Sequence, residues 1–263
     1  MKALVTGSRG TVGSILCEQL RANHIEVITW DRQEVSINDY QIMEDFVKAV
    51  NPDMIYHLAI ASKPTGTQNE TWKVNYEWPG ELAWIYRILN IQFIFTSTNL
   101  VFSNYTAGPF TATSIPDAEA GYGFEKRKAE ERIVYQNPDA IIVRLGWQIG
   151  NDSGSNNMID YINQQIEKFD EVRANINWLP ACSFLQDTCG KLIEIGLKFD
   201  PGMYMIDSNR GWNFYEIVIA LNRSHGNHWK VIPVEENHID TRMTDERLSM
   251  LPLSNRLELR SLV

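Results

Sequence analysis

Cysteine is scarce in this chain, and the few copies present exclude two kinds of site. Cys17, Cys182 and Cys189 have no metal-binding spacing, and three cysteines cannot all pair with each other. We therefore expect reduced thiols, the usual state of cysteine inside cells. His225 and His228 are three residues apart in a glycine-containing segment, which lacks the helical spacing of a zinc motif. No metal site is predicted.

Basic residues are outnumbered, and long apolar runs are missing. The 24 lysines and arginines against 33 acidic residues give a net charge of −9. This balance argues against a nucleic-acid partner, because phosphate binding depends on clustered positive charge. No run approaches the roughly 20 apolar residues that span a bilayer, so no membrane partner is predicted. The opening MKALVTG has no signal-peptide pattern, and we expect a cytoplasmic protein.

Short apolar runs alternate with amphipathic stretches through the first 145 residues. Strands that are apolar on both faces and separated by helices indicate a parallel sheet covered on two sides. Right-handed crossovers make such a sheet doubly wound. The predicted strands are 2–6, 25–30, 54–58, 92–96 and 140–145, and the predicted helices are 11–22, 37–50, 74–89 and 122–135.

The alternation fades after Gly146, where the pattern predicts helices at 158–169, 187–197 and 212–221 and extended segments at 203–206 and 230–234. We predict an α/β fold, a Rossmann-like doubly wound parallel sheet with a small C-terminal substrate lobe. The NAD(P)-binding domain is predicted to comprise residues 1–145 and about 181–211, and the lobe about 146–180 and 212–263.

A glycine-rich turn joins the first predicted strand to the first predicted helix, with Gly7, Gly10 and Gly13 in G-x-x-G-x-x-G spacing. Glycine permits a tight turn and a close approach to a pyrophosphate, and the helix start offers free N–H groups to phosphates. A purely structural turn has the same glycines. Asp31, 18 residues after Gly13, stands where a carboxylate bonds an adenosine ribose, so the pattern favours dinucleotide binding. The expected contacts are Gly7, Arg9, Gly10, Thr11, Val12, Gly13, Asp31 and Arg32.

The charges near Asp31 leave the choice of dinucleotide open. Asp31 favours NAD, since a carboxylate accepts from a 2′-hydroxyl and repels a 2′-phosphate. Arg9 and Arg32 flank the same place and are able to pair with that phosphate, unless both are simply solvated. We expect NADP as the cofactor, with NAD also used.

Tyr122 and Lys126 are four residues apart at the start of a predicted helix, so their side chains share a face. Hydride transfer to a carbonyl needs an acid, and free tyrosine has a pKa near ~10. A neighbouring ammonium is expected to lower the pKa of Tyr122 and make it a usable acid. Thr98 follows the strand 92–96, where its hydroxyl would bond a substrate carbonyl. Y-x-x-x-K is common by chance, but its order behind the glycine turn and Thr98 is specific.

Several segments together resemble extended short-chain dehydrogenases/reductases, and more narrowly the dTDP-4-dehydrorhamnose reductases. They are LVTGSRGTVG, YHLAIAS, VNYEWPGELA, TSTNLVFSN, GYGFEKRKAEE, IIVRLGW and SNRLEL. The resemblance implies a catalytic set of Thr98, Tyr122 and Lys126. It implies further cofactor contacts at Ala59, Ile60 and Asn75, with Tyr122 and Lys126 also on the cofactor. The implied substrate is a nucleotide sugar, with Trp147 as a contact. We expect Asn99, which follows Thr98, to contact the substrate as well. It also implies a homodimer, through the helix 74–89.

Three positions depart from the family pattern. Leu100 replaces the aromatic residue that usually faces the sugar, Ala112 stands where an acid is common, and Ser36 takes the place of a usual acidic residue. The cofactor half and the catalytic set are thus kept, while positions facing the substrate differ.

We hypothesise an NAD(P)H-dependent reductase of the keto group of a nucleotide-activated deoxysugar, in cell-surface or secondary-metabolite sugar biosynthesis. One alternative is a non-catalytic NADP-binding regulatory or scaffold subunit, which Leu100 and Ala112 favour and the intact catalytic set opposes. The other is a nucleotide-sugar epimerase or dehydratase, which keeps the same pair but cycles NAD internally.

Overall fold

Strands and helices alternate along the computed structural model, which describes residues 1–62, 65–150 and 156–260. The strands there are β1 Lys2–Thr6, β2 Glu26–Thr29, β3 Met54–His57, β4 Gln92–Thr98, β5 Ile141–Leu145, β6 Trp147–Ile149, β7 Val172–Asn175, β8 Trp178–Leu179, β9 Cys182–Phe184, β10 Gly202–Ile206, β11 Val231–Val234 and β12 Ile239–Asp240. The helices are α1 Thr11–Ala22, α2 Tyr40–Val50, α3 Glu70–Trp72, α4 Trp78–Ile88, α5 Gly121–Gln136, α6 Met158–Phe169, α7 Leu185–Lys198 and α8 Phe214–Ser224, with a π-helical turn at Lys73–Glu77 between α3 and α4.

The main sheet has six strands in the order β10-β5-β4-β3-β1-β2. β1 pairs in parallel with both β2 and β3, so that Leu4 lies opposite Ile28 on one side and Ile55 on the other. β4 extends the sheet in parallel from β3. The progression of strands reverses between β1 and β3, and ligands of such sheets bind outside the carboxyl ends at this reversal. The order confirms the predicted Rossmann-like α/β sheet.

The burial of β1 explains why this segment forms a central strand. Ala3, Leu4, Val5 and Thr6 are all fully buried, as expected for a parallel strand covered on both faces.

α5 differs from an ordinary amphipathic helix, because its buried residues include two charged ones. They are Gly123, Lys126, Ala129, Glu130 and Ile133, which recur at helical spacing along one face.

The chain divides into two compact units. The first comprises Met1–Ser103, Pro116–Arg144 and Cys189–Tyr204, and the second comprises Asn104–Ile115, Leu145–Thr188 and Met205–Val263. The described part of the second unit contains three parallel two-stranded pairs, β6–β9, β7–β11 and β8–β12. Its core includes Ile162, Phe214, Ile217 and Leu221. The assignment of a cofactor-binding and a substrate-binding role to separate parts stays a prediction.

Several elements differ from the sequence prediction in ways that have physical causes. The helix predicted at 74–89 begins at Glu70 and contains the π turn, which no simple periodicity announces. The short strands β6, β8, β9 and β12 were not predicted, since two or three residues carry no readable alternation. Among the described residues, no helix has the length and apolarity to cross a membrane. No group of three or more His, Cys, Asp or Glu suited to a metal occurs among those residues either.

The close packing of the glycine turn predicts opposite effects for two Gly→Ala changes in helices. A Cβ at Gly13 would overlap the Gly7 carbonyl oxygen and lie 2.9 Å from the Ser8 Cα. Gly13→Ala should therefore cost about 1–3 kcal/mol of unfolding free energy, as overpacking does. The control Gly190→Ala places its Cβ 3.7 Å from the Gln19 Oε1, and should stabilise by roughly 0.5–1 kcal/mol. Urea unfolding measures both, and equal effects would contradict the packing described.

Candidate active site

The glycine turn presents an uncapped helix start at the end of β1. Gly7 has φ +68, a conformation that favours glycine, and its carbonyl accepts the Gly10 N–H at 2.9 Å. Gly10 is the N-cap of α1 and makes no side-chain cap hydrogen bond. The following residues, Thr11 and Val12, are half-buried in the first turn. Because the first N–H groups of a helix lack intrahelical acceptors, this turn is suited to a phosphate.

Each of the two predicted arginines meets a carboxylate near the end of β2. Arg9 Nη2 lies 3.5 Å from Asp31 Oδ2, and the Arg9 side chain is 82% exposed. Arg32 Nη1 lies 3.5 Å from Glu70 Oε1. Asp31 thus has an arginine beside it. The carboxylate is a suitable partner for a ribose hydroxyl, and the arginine is a suitable partner for a phosphate.

The segment after β3 is anchored on both sides. Ala59 is buried and Ile60 is exposed. The Thr6 hydroxyl oxygen accepts the backbone N–H groups of Leu58 and Ala59, each at 3.2 Å. A Cβ at Gly7 would come within 2.8 Å of the Ala59 nitrogen. The glycine turn and this segment therefore lie in direct contact, as cofactor contacts predicted on both require.

The hydrogen bonds of His57, at the end of β3, decide which ring nitrogen carries the proton. The Thr6 hydroxyl already accepts two N–H groups, so it donates its own proton to the His57 Nδ1, 3.0 Å away. The proton of the neutral ring is therefore on Nε2, which has no hydrogen-bond partner in the described part of the chain. Burial holds the pKa of His57 well below its usual value, and the Lys126 ammonium lowers it further. His57 stays neutral at physiological pH.

Thr98 ends β4 and caps the short 3-10 turn that follows it. Its side-chain oxygen accepts the Leu100 N–H at 3.2 Å, while Asn99 is half-buried and Leu100 is exposed. A Cβ at Gly123 would overlap the Leu100 carbonyl oxygen. The first turn of α5, which carries Tyr122, therefore packs directly on the turn that Thr98 caps, and the two predicted catalytic segments are brought together.

The environment of Tyr122 shifts its pKa in the direction opposite to the one predicted. Burial raises the pKa of Tyr122, and the Glu125 carboxylate raises it further. The expected lowering by Lys126 is wrong for this structure, because loss of solvent disfavours the phenolate. Tyr122 consequently keeps its proton at neutral pH.

Lys126 is buried to 1% exposure, and its Nζ has no hydrogen-bond partner among the described residues. The ammonium lies 3.8 Å from the centre of the Phe95 ring, a cation–π contact. Burial lowers the pKa of Lys126 to about 7, and the Glu130 carboxylate acts in the opposite direction. Glu130 itself binds Arg144 through two hydrogen bonds of 3.0 and 2.7 Å. The lysine is therefore a buried amine with a pKa near neutrality, and Glu130, the acid that acts on it, is engaged by Arg144.

These residues fit a nicotinamide dinucleotide. The start of α1 has no side-chain cap, and the buried Lys126 ammonium has unused hydrogen-bond donors. A pyrophosphate would accept hydrogen bonds from the free N–H groups at the start of α1, and a ribose hydroxyl would accept one from Lys126.

Three further positions that the sequence singled out are Trp147, Ala112 and Ser36. Trp147 belongs to the second unit, where its ring stacks on Trp178 with centroids 5.9 Å apart. Ala112 also belongs to that unit. Ser36 caps a local turn by accepting the Asn38 N–H at 3.1 Å. The substrate contact at Trp147 stays a prediction.

Sequence reasoning missed three residues that shape the site. Thr6, the residue before Gly7, forms a hydrogen bond with His57. Glu125 accepts a hydrogen bond from Asn75 at 2.7 Å. The sequence signal for Glu125 was its place between Tyr122 and Lys126. The sequence gives no sign that Glu125 bonds to Asn75, which lies 50 residues earlier in the chain.

The fold and the glycine turn define a Rossmann-type α/β protein, in which Thr98 ends β4 and Tyr122 and Lys126 lie on α5. A family model described as the RmlD substrate binding domain matches residues 1–178. The chain belongs to this family.

Individual relatives agree with this membership. The spore coat polysaccharide biosynthesis protein SpsK of Bacillus subtilis is 25% identical over 86% of this chain and 80% of its own length. The probable low-salt glycan biosynthesis reductase Agl14 of Haloferax volcanii is 28% identical over 61% of this chain and 58% of its own. The structure of dTDP-4-dehydrorhamnose reductase from Bacillus anthracis in complex with NADP has a TM-score of 0.81 at 17% identity, covering 97% of this chain and 95% of that one. At this identity the structural likeness shows the fold.

The buried lysine predicts a pH-dependent effect on stability. The pKa of Lys126 is about 7 in the fold and about 10.4 in an unfolded chain, so between these values the unfolded chain holds the proton. The contribution of Lys126 to stability therefore rises with pH from 7 towards 10. Lys126→Met should raise the unfolding free energy at pH 7 by on the order of 3 kcal/mol, with the gain shrinking towards pH 10.

Thermal or urea unfolding at several pH values between 7 and 10 measures this difference. Lys128→Met removes a half-buried lysine from the same helix and should leave the pH dependence of unfolding as in the unchanged protein. A Lys126→Met protein that is less stable at pH 7, or whose gain grows with pH, would contradict the described burial.

Proposed function

We propose that this protein is an NADP-dependent oxidoreductase, able to use NAD, which reduces the keto group of a nucleotide-activated deoxysugar. One observation carries the proposal: the buried Lys126, whose Nζ has no hydrogen-bond partner among the described residues, lies one helical turn after Tyr122, on a helix that packs on the turn capped by Thr98. A buried cation without a partner is costly and marks a functional site.

The relatives support the substrate class. SpsK acts in spore coat polysaccharide biosynthesis, and Agl14 is described as a glycan biosynthesis reductase. The structural neighbour from Bacillus anthracis is a dTDP-4-dehydrorhamnose reductase and contains NADP. Two of these names refer to polysaccharide or glycan biosynthesis, and two of them to a reductase. We place this protein in cell-surface or secondary-metabolite sugar biosynthesis.

The cofactor is proposed to lie along the carboxyl ends of β1 and β3. Gly7, Gly10 and Gly13 would hold the pyrophosphate, with Asp31 and the neighbouring arginines at the adenosine ribose. Lys126 would donate hydrogen bonds to the nicotinamide ribose. When bound, the reduced nicotinamide supplies the hydride for the keto carbon.

The chain's own residues would manage the proton. The raised pKa of Tyr122 leaves the phenol protonated at neutral pH, so it has a proton to give to the oxygen that becomes the alcohol. Thr98 uses an oxygen lone pair for the Leu100 N–H, which leaves its own O–H free to donate to the same substrate oxygen. The Lys126 ammonium, one helical turn from Tyr122 along α5, would stabilise the phenolate left after proton transfer.

Two alternative functions retain the same binding site. The exposure of Leu100, 52% of its surface, at a position where the family has an aromatic residue, favours a regulatory or scaffold subunit that binds NADP without catalysis. An epimerase or dehydratase would use Tyr122 and Lys126 but would consume no net NAD(P)H.

We also propose a homodimer, formed through α4. Trp84 and Ile88 of this helix are 41% and 46% exposed, and apolar side chains exposed on a helix are suited to pairing with a second copy. A cytoplasmic location, with no nucleic-acid or membrane partner, stays a prediction from the sequence.

A panel of nucleotide-activated 4-keto-deoxysugars tests the activity through loss of NAD(P)H absorbance. The unchanged protein should oxidise NADPH with at least one sugar. Tyr122→Phe should reduce turnover by roughly 10²-fold or more while NADPH still binds, because general acid catalysis contributes about that much. Tyr135→Phe, an exposed tyrosine on the same helix, is the control and should retain activity.

Cofactor binding without turnover of any sugar would favour the regulatory or scaffold subunit over the reductase. Conversion of the sugar without net loss of NADPH would favour the epimerase or dehydratase. Full turnover by the Tyr122→Phe protein would remove the catalytic assignment.

A further inference from the structure

Glu125 lies between the two proposed catalytic residues, and the reaction described above gives it no task. Its Oε2 accepts a hydrogen bond from the Asn75 Nδ2 at 2.7 Å. Asn75 is 2% exposed and lies in the middle of the π turn at Lys73–Glu77. Such turns inside a helix are rare and frequently occur at functional sites. The contact joins the catalytic helix α5 to this turn.

The two contacts of the Asn75 side chain leave its amide only one orientation. The backbone N–H of Ala61 is a donor, so the atom that faces it at 3.1 Å is the Asn75 carbonyl oxygen. An ionised carboxylate only accepts hydrogen bonds, so the atom that faces Glu125 is the amide nitrogen. The Glu125 carboxylate and the Ala61 N–H therefore favour the same orientation of the amide, which satisfies both of them.

Ala61 belongs to the segment that contacts the glycine turn. A Cβ at Gly7 would lie 2.8 Å from the nitrogen and 2.9 Å from the Cα of Ala59. Thr6 holds this segment at Ala59, at 3.2 Å, and Asn75 holds it two residues later. A continuous chain of contacts thus runs from α5 through the π turn to the backbone beside Gly7.

We propose that Glu125 is a positioning residue for the dinucleotide. Acting through Asn75, it holds the segment 59–61 against the glycine turn and thereby sets the affinity for NADP and NAD. The inference rests on the proposed function, which assigns the glycine turn to the dinucleotide. Glu125 acts here by the direction of a hydrogen bond and does not need to touch the cofactor.

The decisive test reverses donor and acceptor across the contact. Asn75→Asp alone sets two carboxylates against each other and should weaken NADPH binding by roughly 10-fold, as loss of a buried hydrogen bond to a charged group does. Adding Glu125→Gln lets the glutamine amide donate to the new carboxylate, and binding should return to within roughly threefold of the unchanged protein.

A second pair of variants asks the same question without touching Asn75. Glu125→Gln keeps a carbonyl that accepts from the Asn75 amide, so NADPH affinity should change little. Glu125→Ala removes the acceptor and should weaken binding by roughly 10-fold, with the KM for NADPH rising more than kcat falls. Glu131→Ala, on the same helix with a half-exposed side chain, is the matched control and should bind normally.

NADPH fluorescence titration gives the dissociation constants, and thermal unfolding reports the stability of each variant. A purely structural role would lower the melting temperature and leave the affinity of the folded protein unchanged. The inference is overturned if the double variant binds as weakly as Asn75→Asp, or if Glu125→Ala binds like the unchanged protein. If Asn75→Asp does not fold, the comparison of Glu125→Ala with Glu125→Gln decides.

Failure of the proposed function has a separate signature. An unchanged protein that binds neither NADPH nor NADH would contradict the dinucleotide site itself, and this inference with it. Equal binding by the unchanged protein and by both Glu125 variants would remove only the role of Glu125.

Discussion

The placement of the Lys126 ammonium in the interior is the constraint on which the rest of the site depends. Removing a cation from water costs several kcal/mol unless it is paired, and the acid one turn further along the helix, Glu130, is held by Arg144. The face of the Phe95 ring offers only partial compensation. Proteins tolerate such cost where function needs it. A lysine held in this way has donors ready for a ligand and a pKa near neutrality.

The neighbours of Lys126 follow from the same constraint. Any further positive charge nearby would add repulsion, and burial together with the Lys126 ammonium holds the pKa of His57 low enough to keep the ring neutral. Tyr122 keeps its proton for a related reason, since burial disfavours a phenolate as much as it disfavours an ammonium. His57 and Tyr122 therefore add no charge of their own beside the lysine, and a bound anion or hydroxyl would be stabilised most strongly by the lysine.

Much of the fold was predictable because it depends on local pattern. The buried strands of the main sheet, the glycine turn after β1 and the position of Tyr122 and Lys126 on one helix all follow from burial periodicity and residue type. The relation of Thr98 to Tyr122 also followed from chain order, and the Gly123 contact with Leu100 shows how closely the two turns pack.

The features that escaped prediction depend on tertiary contacts. The direction of the Tyr122 pKa shift required knowledge of its burial and of the Glu125 carboxylate. The hydrogen bond of Glu125 to Asn75 joins residues that are 50 positions apart, and the π turn that presents Asn75 has no compositional mark. The strands β6, β8, β9 and β12 are too short for a pattern to identify.

Proton uptake on binding of NADH tests most directly the claim that Lys126 is a buried amine with a pKa near 7 whose charged form a ligand would stabilise. Because hydrogen bonds from the ammonium to a ribose would favour its charged form, binding should raise the pKa of Lys126 from about 7. Titration calorimetry at pH 7.5 in buffers of different ionisation enthalpy counts the protons exchanged, and NADH carries no 2′-phosphate to complicate the count. The account predicts net uptake by the unchanged protein and none by Lys126→Met. The same proton exchange in both proteins would contradict it.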